Sequence, residues 1–445
     1  MMLGYYLELA LHSLRRNLVL TVLMVAAVGV GIGTCMTVLT TLVAMSGNPI
    51  PDKSAKLFVP LIDVWGPESR RGSAGANISQ QLPTQLTYRD ATALMRAHKG
   101  VRQAAMYAIS LNVSPPGSTP FQAMGRATYT DFFTMFEVPF RNGTAWGQSE
   151  DDKRANVVVL SSKLAERVFP HDDPVGKVIS LNARDYRVIG VIQPWTPTPK
   201  FYDLTSGAYS DTDDFYVPFS TAIDRQTQGS GSFWCNELPA SGWEGRLNSE
   251  CVWLQFWVEL PTVAAVRSFQ NFFQGYAAEQ RRLGRFHWPP RVELHDVMDW
   301  MVYNHVIPEE VRVNVLIGTG FLVVCLVNAV GLMLARFTSR SVELGLRRAL
   351  GASRADLFLQ CVTETLVVGV LGGLLGLVLT GVGLSGLRAL LGVASTDSAT
   401  AHLVTLDAGM VLITMVVAVV VTVCAGLYPT LRATRIQPAW QLKAQ

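Results

Sequence analysis

Ala335-Arg336-Phe337-Thr338-Ser339-Arg340-Ser341-Val342-Glu343-Leu344-Gly345-Leu346-Arg347-Arg348-Ala349-Leu350-Gly351-Ala352-Ser353-Arg354 is a basic stretch set between two long apolar runs. Runs of that length read as helices that cross a bilayer, so the stretch between them is a short loop held against one membrane face. Val342, Leu346, Ala349 and Leu350 recur at helical spacing inside it, and Glu343 precedes Arg347 by one turn, the favourable order for an ion pair. A small amphipathic helix is therefore expected. Gly351 is placed to end it, because glycine adopts the left-handed backbone cheaply. Ser353, with Asp356 three residues on, forms a capping box that opens the next helix. Arg336, Arg340, Arg347, Arg348 and Arg354 put the loop on the cytoplasmic side under the positive-inside rule.

Outward from this loop, four spans are expected. Residues 1–17 form an amphipathic cytoplasmic segment ending in Arg15 and Arg16, and residues 18–46 form the first span. Its apolar run is too long for a signal-peptide core and lacks a small-x-small cleavage site, so it reads as a retained anchor. As a helix it would reach roughly 42 Å against a hydrocarbon core of roughly 30 Å, and the surplus is expected to project outward as a stalk. The second span is assigned to 311–335, the basic loop to 336–356 and the third span to 357–391. A short outer loop without Lys or Arg (392–407), a fourth span (408–429) and a basic tail (430–445) complete the chain, with both termini inside. Polar side chains within the spans are few. Asn328 is a lone polar side chain of the kind that often marks a helix–helix contact, although many simply find a backbone partner, and Glu364 lies near the start of the third span.

The middle of the chain is polar and rich in turns, and its elements alternate. Leu57–Ile62 reads as a strand, Thr87–His98 as a helix and Val101–Val113 as extended chain. Asn156–Ser162 reads as a strand, followed by a helix through Phe169, a Pro-Gly turn at 174–176 and a strand pair over 178–181 and 186–192. Near its end, Val252, Leu254, Phe256, Val258 and Leu260 alternate with Trp253, Gln255, Trp257 and Glu259, a strand with two chemically different faces. A helix over 262–283 and a strand over 291–294 then complete a βαβ-like unit.

The 445 residues are 49% hydrophobic and only 16% charged, which indicates a chain divided between membrane and water. The net charge of +3 comes without a basic patch interleaved with aromatics, so nucleic acid is not an expected partner. Four of the six cysteines lie in apolar runs. Cys235 and Cys251 lie in the polar middle, and a disulfide between them is expected if that region faces an oxidising compartment. No Gly-x-x-x-x-Gly-Lys-Ser/Thr loop occurs in the sequence, so no ATP site of P-loop type is expected. His287, His295 and His305 with Asp296 and Asp299 lack zinc-site spacing, and Asp211, Asp213 and Asp214 lack the rest of a calcium loop, which leaves a solvated acidic loop as the expectation. Most of Trp234, Trp243, Trp253 and Trp257 are expected to fill a small core.

The run from Glu343 to Ser353 resembles the coupling loop of the FtsX-like and MacB-like permease family of ABC transporters. Leu371-Gly372-Gly373-Leu374-Leu375-Gly376 and Gly426-Leu427-Tyr428-Pro429-Thr430-Leu431-Arg432-Ala433 match the same family, and Pro174-Val175-Gly176-Lys177 before a strand pair resembles its periplasmic core. The resemblance implies a four-helix transmembrane bundle with a large α+β periplasmic domain between the first two spans, in the bacterial inner membrane. That domain would be porter-like over 47–118 and 251–310, with an inserted subdomain over 119–250. The resemblance also implies that Arg340, Glu343, Leu346, Arg347, Arg348, Gly351 and Ser353 dock an ATPase. No catalytic, cofactor or metal residue is expected in this chain, and ATP and Mg would sit on two separate ATPase subunits. A second copy or a related permease, and a periplasmic adaptor or substrate protein, would complete the assembly. The expected role is mechanotransmission for export or efflux. A lipoprotein-extraction or cell-wall-hydrolase-regulating permease is the alternative within the family, and a membrane-anchored sensor or structural protein without transport is the alternative outside it.

Overall fold

In a computed structural model, the described residues are 2–66, 81–115, 117–340, 346, 351, 353–390 and 408–434. The chain divides into two compact units, Met1–Ser46 with Ile307–Gln445, and Gly47–Val306. Among the described residues of the first unit, four helices are long and apolar enough to cross a membrane. They are Leu18–Ser46, Glu309–Ser339, Arg354–Leu390 and Ala408–Thr434. The amphipathic helix Met2–Arg16 precedes them. The second helix continues to Ser339 rather than ending at 335, because nothing in Arg336-Phe337-Thr338-Ser339 breaks a helix and Phe337 is buried with Leu14, Met333 and Cys361. The fourth likewise runs through Pro429 to Thr434.

Glycines set how closely the first and third spans approach. A Cβ built on Gly33 would lie 2.7 Å from the Leu379 Cβ, and one on Gly376 would lie 2.9 Å from the Ile32 side chain. Both distances are closer than carbon atoms can sit, so the helices meet backbone to side chain along a shared seam.

The second unit is built on eleven strands: β1 (Leu57–Ile62), β2 (Leu86–Thr87), β3 (Arg102–Ser114), β4 (Phe121–Thr128), β5 (Phe140–Gly143), β6 (Val157–Ser161), β7 (Val178–Leu181), β8 (Arg184–Ile192), β9 (Phe215–Pro218), β10 (Val252–Glu259) and β11 (Val292–Asp296). Their order is β11-β1-β10-β3-β4-β9-β6-β8-β5, with β2 added to β10. β7 pairs with both β8 and β3, so β3-β4-β9-β6-β8-β7 closes into a ring. Closure removes the exposed edges of those strands. The Val263–Arg282 helix carries the chain from β10 to β11, and β1 lies antiparallel between the two, a split form of the expected βαβ unit. The seam placed at 118/119 in the sequence falls within the β3–β4 hairpin, whose register is continuous from Met106–Thr128 to Val113–Phe121.

Several polar residues of this unit lie in its interior. The acidic loop is solvated only in part: Asp211 is exposed and Asp214 half-buried, but Asp213 is not. Asp213 is 3% exposed and Asp203 fully buried, both bound to Arg126 of β4, itself fully buried. Arg126 Nε lies 2.7 Å from Asp213 Oδ2, its Nη2 lies 2.8 Å from Asp203 Oδ2, and Lys200 Nζ lies 3.1 Å from Asp213 Oδ1. Two cations and two carboxylates thus balance, and they pin the β8–β9 connection to the sheet. β10, whose two faces differ chemically, is buried on both. Its polar residues find partners there: Gln255 Nε2 donates to Asp203 Oδ1 at 2.9 Å, and Glu259 Oε2 pairs with Arg102 at 2.9 Å, while Gln255 Oε1 accepts no bond from the described residues.

Candidate functional site

At the loop-bearing end of the helical unit, the amphipathic helix Met2–Arg16 lays Ala10 and Leu14 on a cluster that includes Met333, Phe337 and Cys361. This apolar contact fixes the helix in register, and Ser13 on the same face is buried beside it. The end of the second span presents Arg336 and, one turn on, Arg340. The third span presents Glu364, which is 3% exposed. Three helices thereby meet at one polar cluster. Arg336 Nη2 donates to Ser13 Oγ at 2.8 Å and lies 3.4 Å from Glu364 Oε2. Arg340 Nη1 donates to Glu364 Oε1 at 3.2 Å and also to Ser13 Oγ.

The physical role of this cluster follows from its surroundings. A carboxylate inside an apolar helix bundle is costly unless paired, and Glu364 is paired twice. Both guanidiniums sit where the second span hands the chain to the basic loop, and both are tied to the helix that follows that loop. Movement of the loop entry therefore strains the second span, the third span and the amphipathic helix together.

The other end of the loop is also defined. Ser353 N donates to Asp356 Oδ2 at 3.2 Å and Asp356 N to Ser353 Oγ at 3.1 Å, the reciprocal capping box expected from the sequence. Gly351 has φ +100°, a left-handed conformation suited to the helix stop expected there. Leu346 is helical and 62% exposed in this chain alone. Glu343, Arg347 and Arg348 lie outside the described residues.

Asn328 is exposed in this chain. Leu322, Cys325, Ala329 and Met333 form the buried stripe of the second span, and position 328 falls on its exposed face. Ser13 and Arg336 are the members that sequence reasoning missed. The available signal was Glu364 itself, because an intramembrane carboxylate requires a cation, but Arg354 is nearer in the sequence, so spacing alone did not single out Arg336 or Arg340. In the α/β domain, the expected Cys235–Cys251 disulfide is formed. Of the tryptophans, Trp253 and Trp257 are buried, while Trp234 is 37% exposed.

Family models match most of the chain. Residues 21–271 match the MacB-like periplasmic core domain and residues 315–438 the FtsX-like permease C-terminal domain. The chain is similar to the macrolide export ATP-binding/permease protein MacB of Azoarcus sp. (strain BH72), 24% identical over 86% of this chain and 52% of that protein. It is similar to the pyoverdine export ATP-binding/permease protein PvdT of Pseudomonas syringae pv. syringae, 24% identical over 71% of this chain and 42% of that protein. The chain thus spans about half the length of the curated relatives it matches. The solved periplasmic region of MacB from Actinobacillus actinomycetemcomitans aligns with 56% of this chain and 92% of its own length, at 16% identity and a TM-score of 0.35. With one model covering more than half the residues and a second covering the last three spans, the chain belongs to the MacB-like, FtsX-like permease family of ABC transporters.

Proposed function

We propose that this permease docks a separate ABC ATPase through the 340–353 loop and passes the ATPase's motion to its periplasmic-type domain, for export with a periplasmic adaptor. ATP and Mg would be held by two ATPase subunits, and a second permease, identical or related, would complete the transporter. The loop lies in the cytoplasm in this reading. The observation that carries it is the buried Ser13–Arg336–Arg340–Glu364 cluster, which ties the mouth of the loop to three helices. The chain leaves that end through helices of 29 and 31 residues that lead to the α/β domain, each longer than the roughly 20 residues a bilayer core requires. Such helices transmit displacement along their axes. Polar residues suited to lining a wet path are few in the described spans, which supports cargo handling by the outer domain.

The test is copurification of the chain with its companion proteins, followed by ATPase assay of the complex. Glu364→Gln is expected to insert normally and to lower permease-stimulated ATP hydrolysis about tenfold, as expected when a buried charge pair loses one partner. Unchanged stimulation would remove the cluster from the coupling path.

A further inference from the structure

A cavity of about 460 Å³ opens in the α/β domain between the Tyr88–Ala97 helix and the Phe219–Asp224 and Gly242–Leu247 helices. That volume lies within the range of small-molecule sites, roughly 300–1,000 Å³. Aromatic rings form much of its wall. Tyr129 stacks on Phe219 with centroids 5.0 Å apart, and Tyr88 stacks on the same ring at 6.4 Å. These two tyrosine hydroxyls have no hydrogen-bond partner among the described residues. The indole N–H of Trp243, another lining residue, is buried without an acceptor. Arg96 on the last turn of its helix forms no ion pair among the described residues, whereas Arg154 at the same cavity is neutralised by Asp224. The unpaired groups of the lining thus include the two tyrosine hydroxyls, the Trp243 N–H and the Arg96 guanidinium, and Glu244 supplies an uncommitted carboxylate, on an exposed residue.

An unpaired buried donor such as the Trp243 N–H is costly in a folded domain, and a cavity that gathers it with two free hydroxyls and an exposed, unpaired guanidinium is suited to a ligand that brings acceptors. We propose that this cavity binds a planar aromatic anion rich in oxygen acceptors, with its ring against the Tyr129–Phe219 stack and its charge on Arg96. The site belongs to the α/β domain and its test involves no ATPase, so it stands or falls apart from the docking function proposed above.

The test uses the full chain in lipid nanodiscs, with 2-naphthalenesulfonate as the probe, 2-naphthol as its neutral counterpart and empty nanodiscs as the blank. Calorimetry should show saturable binding of one sulfonate per chain. Loss of a charge-assisted bond in Arg96→Ala should weaken it about tenfold, and 2-naphthol should bind weaker than the sulfonate by a similar factor. Tyr129→Phe should weaken the sulfonate about threefold, as for a neutral hydrogen bond. Glu244→Gln should tighten it, because a like charge is removed. Arg96 is exposed and the tyrosine change keeps the ring, so both variants should retain the fold. Absence of saturable binding, equal affinity for 2-naphthol, or affinity unchanged in Arg96→Ala would each overturn the proposal.

Discussion

Arg126 holds a full charge with no exposed surface, and the consequences are confined to a few atoms around it. Burial alone would raise the Asp213 carboxyl, but the Arg126 and Lys200 charges outweigh it and hold it down at about 2. The network therefore contributes stability that is present above the ordinary carboxylate range and is lost as pH falls through about 2. Replacing Arg126 with Met leaves Asp203 without an ion pair and Asp213 with Lys200 alone as its cation, and should cost about 3–5 kcal/mol, the usual penalty for breaking a buried pair. Thermal unfolding of the α/β domain in the full chain measures this, and a loss below about 1 kcal/mol would show that the charges are not needed in the fold. Asp151 has the opposite sign. Burial, reinforced by Asp152 and Asp131, exceeds the Thr130 N–H bond and pushes its carboxyl up to about 7. Its neutral form stabilises the fold below the unfolded carboxylate pKa, and that contribution fades as pH rises through about 7. Asp151→Asn should abolish this loss of stability between pH 5 and pH 8, which in the parent is on the order of 3 kcal/mol and is read as a fall in melting temperature. A variant with the same pH profile as the parent would refute the assignment.

At the scale of elements, the close approach of the first and third spans depends on glycines. Gly33→Leu forces a side chain into the Leu379 Cβ, 2.7 Å from where its own Cβ would stand. It should lower the thermal stability of the solubilised protein by about 1–3 kcal/mol, whereas Gly320→Leu, which meets nothing within 4 Å, should be tolerated. Equal behaviour of the two in fluorescence-detected size-exclusion melting would argue against the seam. The Cys235–Cys251 bridge closes a loop of 16 residues in sequence separation. Replacing both cysteines with Ser should destabilise the α/β domain by about 3 kcal/mol. Mass spectrometry of protein isolated without reductant should find the bridged peptide pair, and two free thiols would disprove it.

For the whole molecule, the decisive question is which side of the membrane each part occupies. The basic loop is expected on one side and the α/β domain on the other. Leu346→Cys and Leu238→Cys test this, since both positions are exposed, in a background lacking Cys35, Cys325, Cys361 and Cys424 and retaining the disulfide. An impermeant maleimide should label position 238 on intact spheroplasts and position 346 only after lysis. Labelling of both before lysis would rule out the four-span arrangement with a cytoplasmic loop.

Features encoded over a few neighbouring residues were legible in the chain itself. The Ser353–Asp356 box, the Tyr88–Ala97 helix, and the β6, β7 and β8 strands with their turn depend on spacing, caps and Pro-Gly punctuation, all local properties. The four apolar runs were equally plain, because a bilayer demands about 20 apolar residues in a row. What only the tertiary structure decided involves partners far apart in sequence. Closure of the strand ring through β7, the burial of Asp213 against Arg126 87 positions away, and the meeting of Ser13 with Arg336 323 positions away leave no periodic trace. Asn328 shows the same limit from the other side. Its polarity left a helix contact and a backbone partner both open, and the phase of the second span's buried stripe determined which way it faces, a phase set by the packing of neighbouring helices.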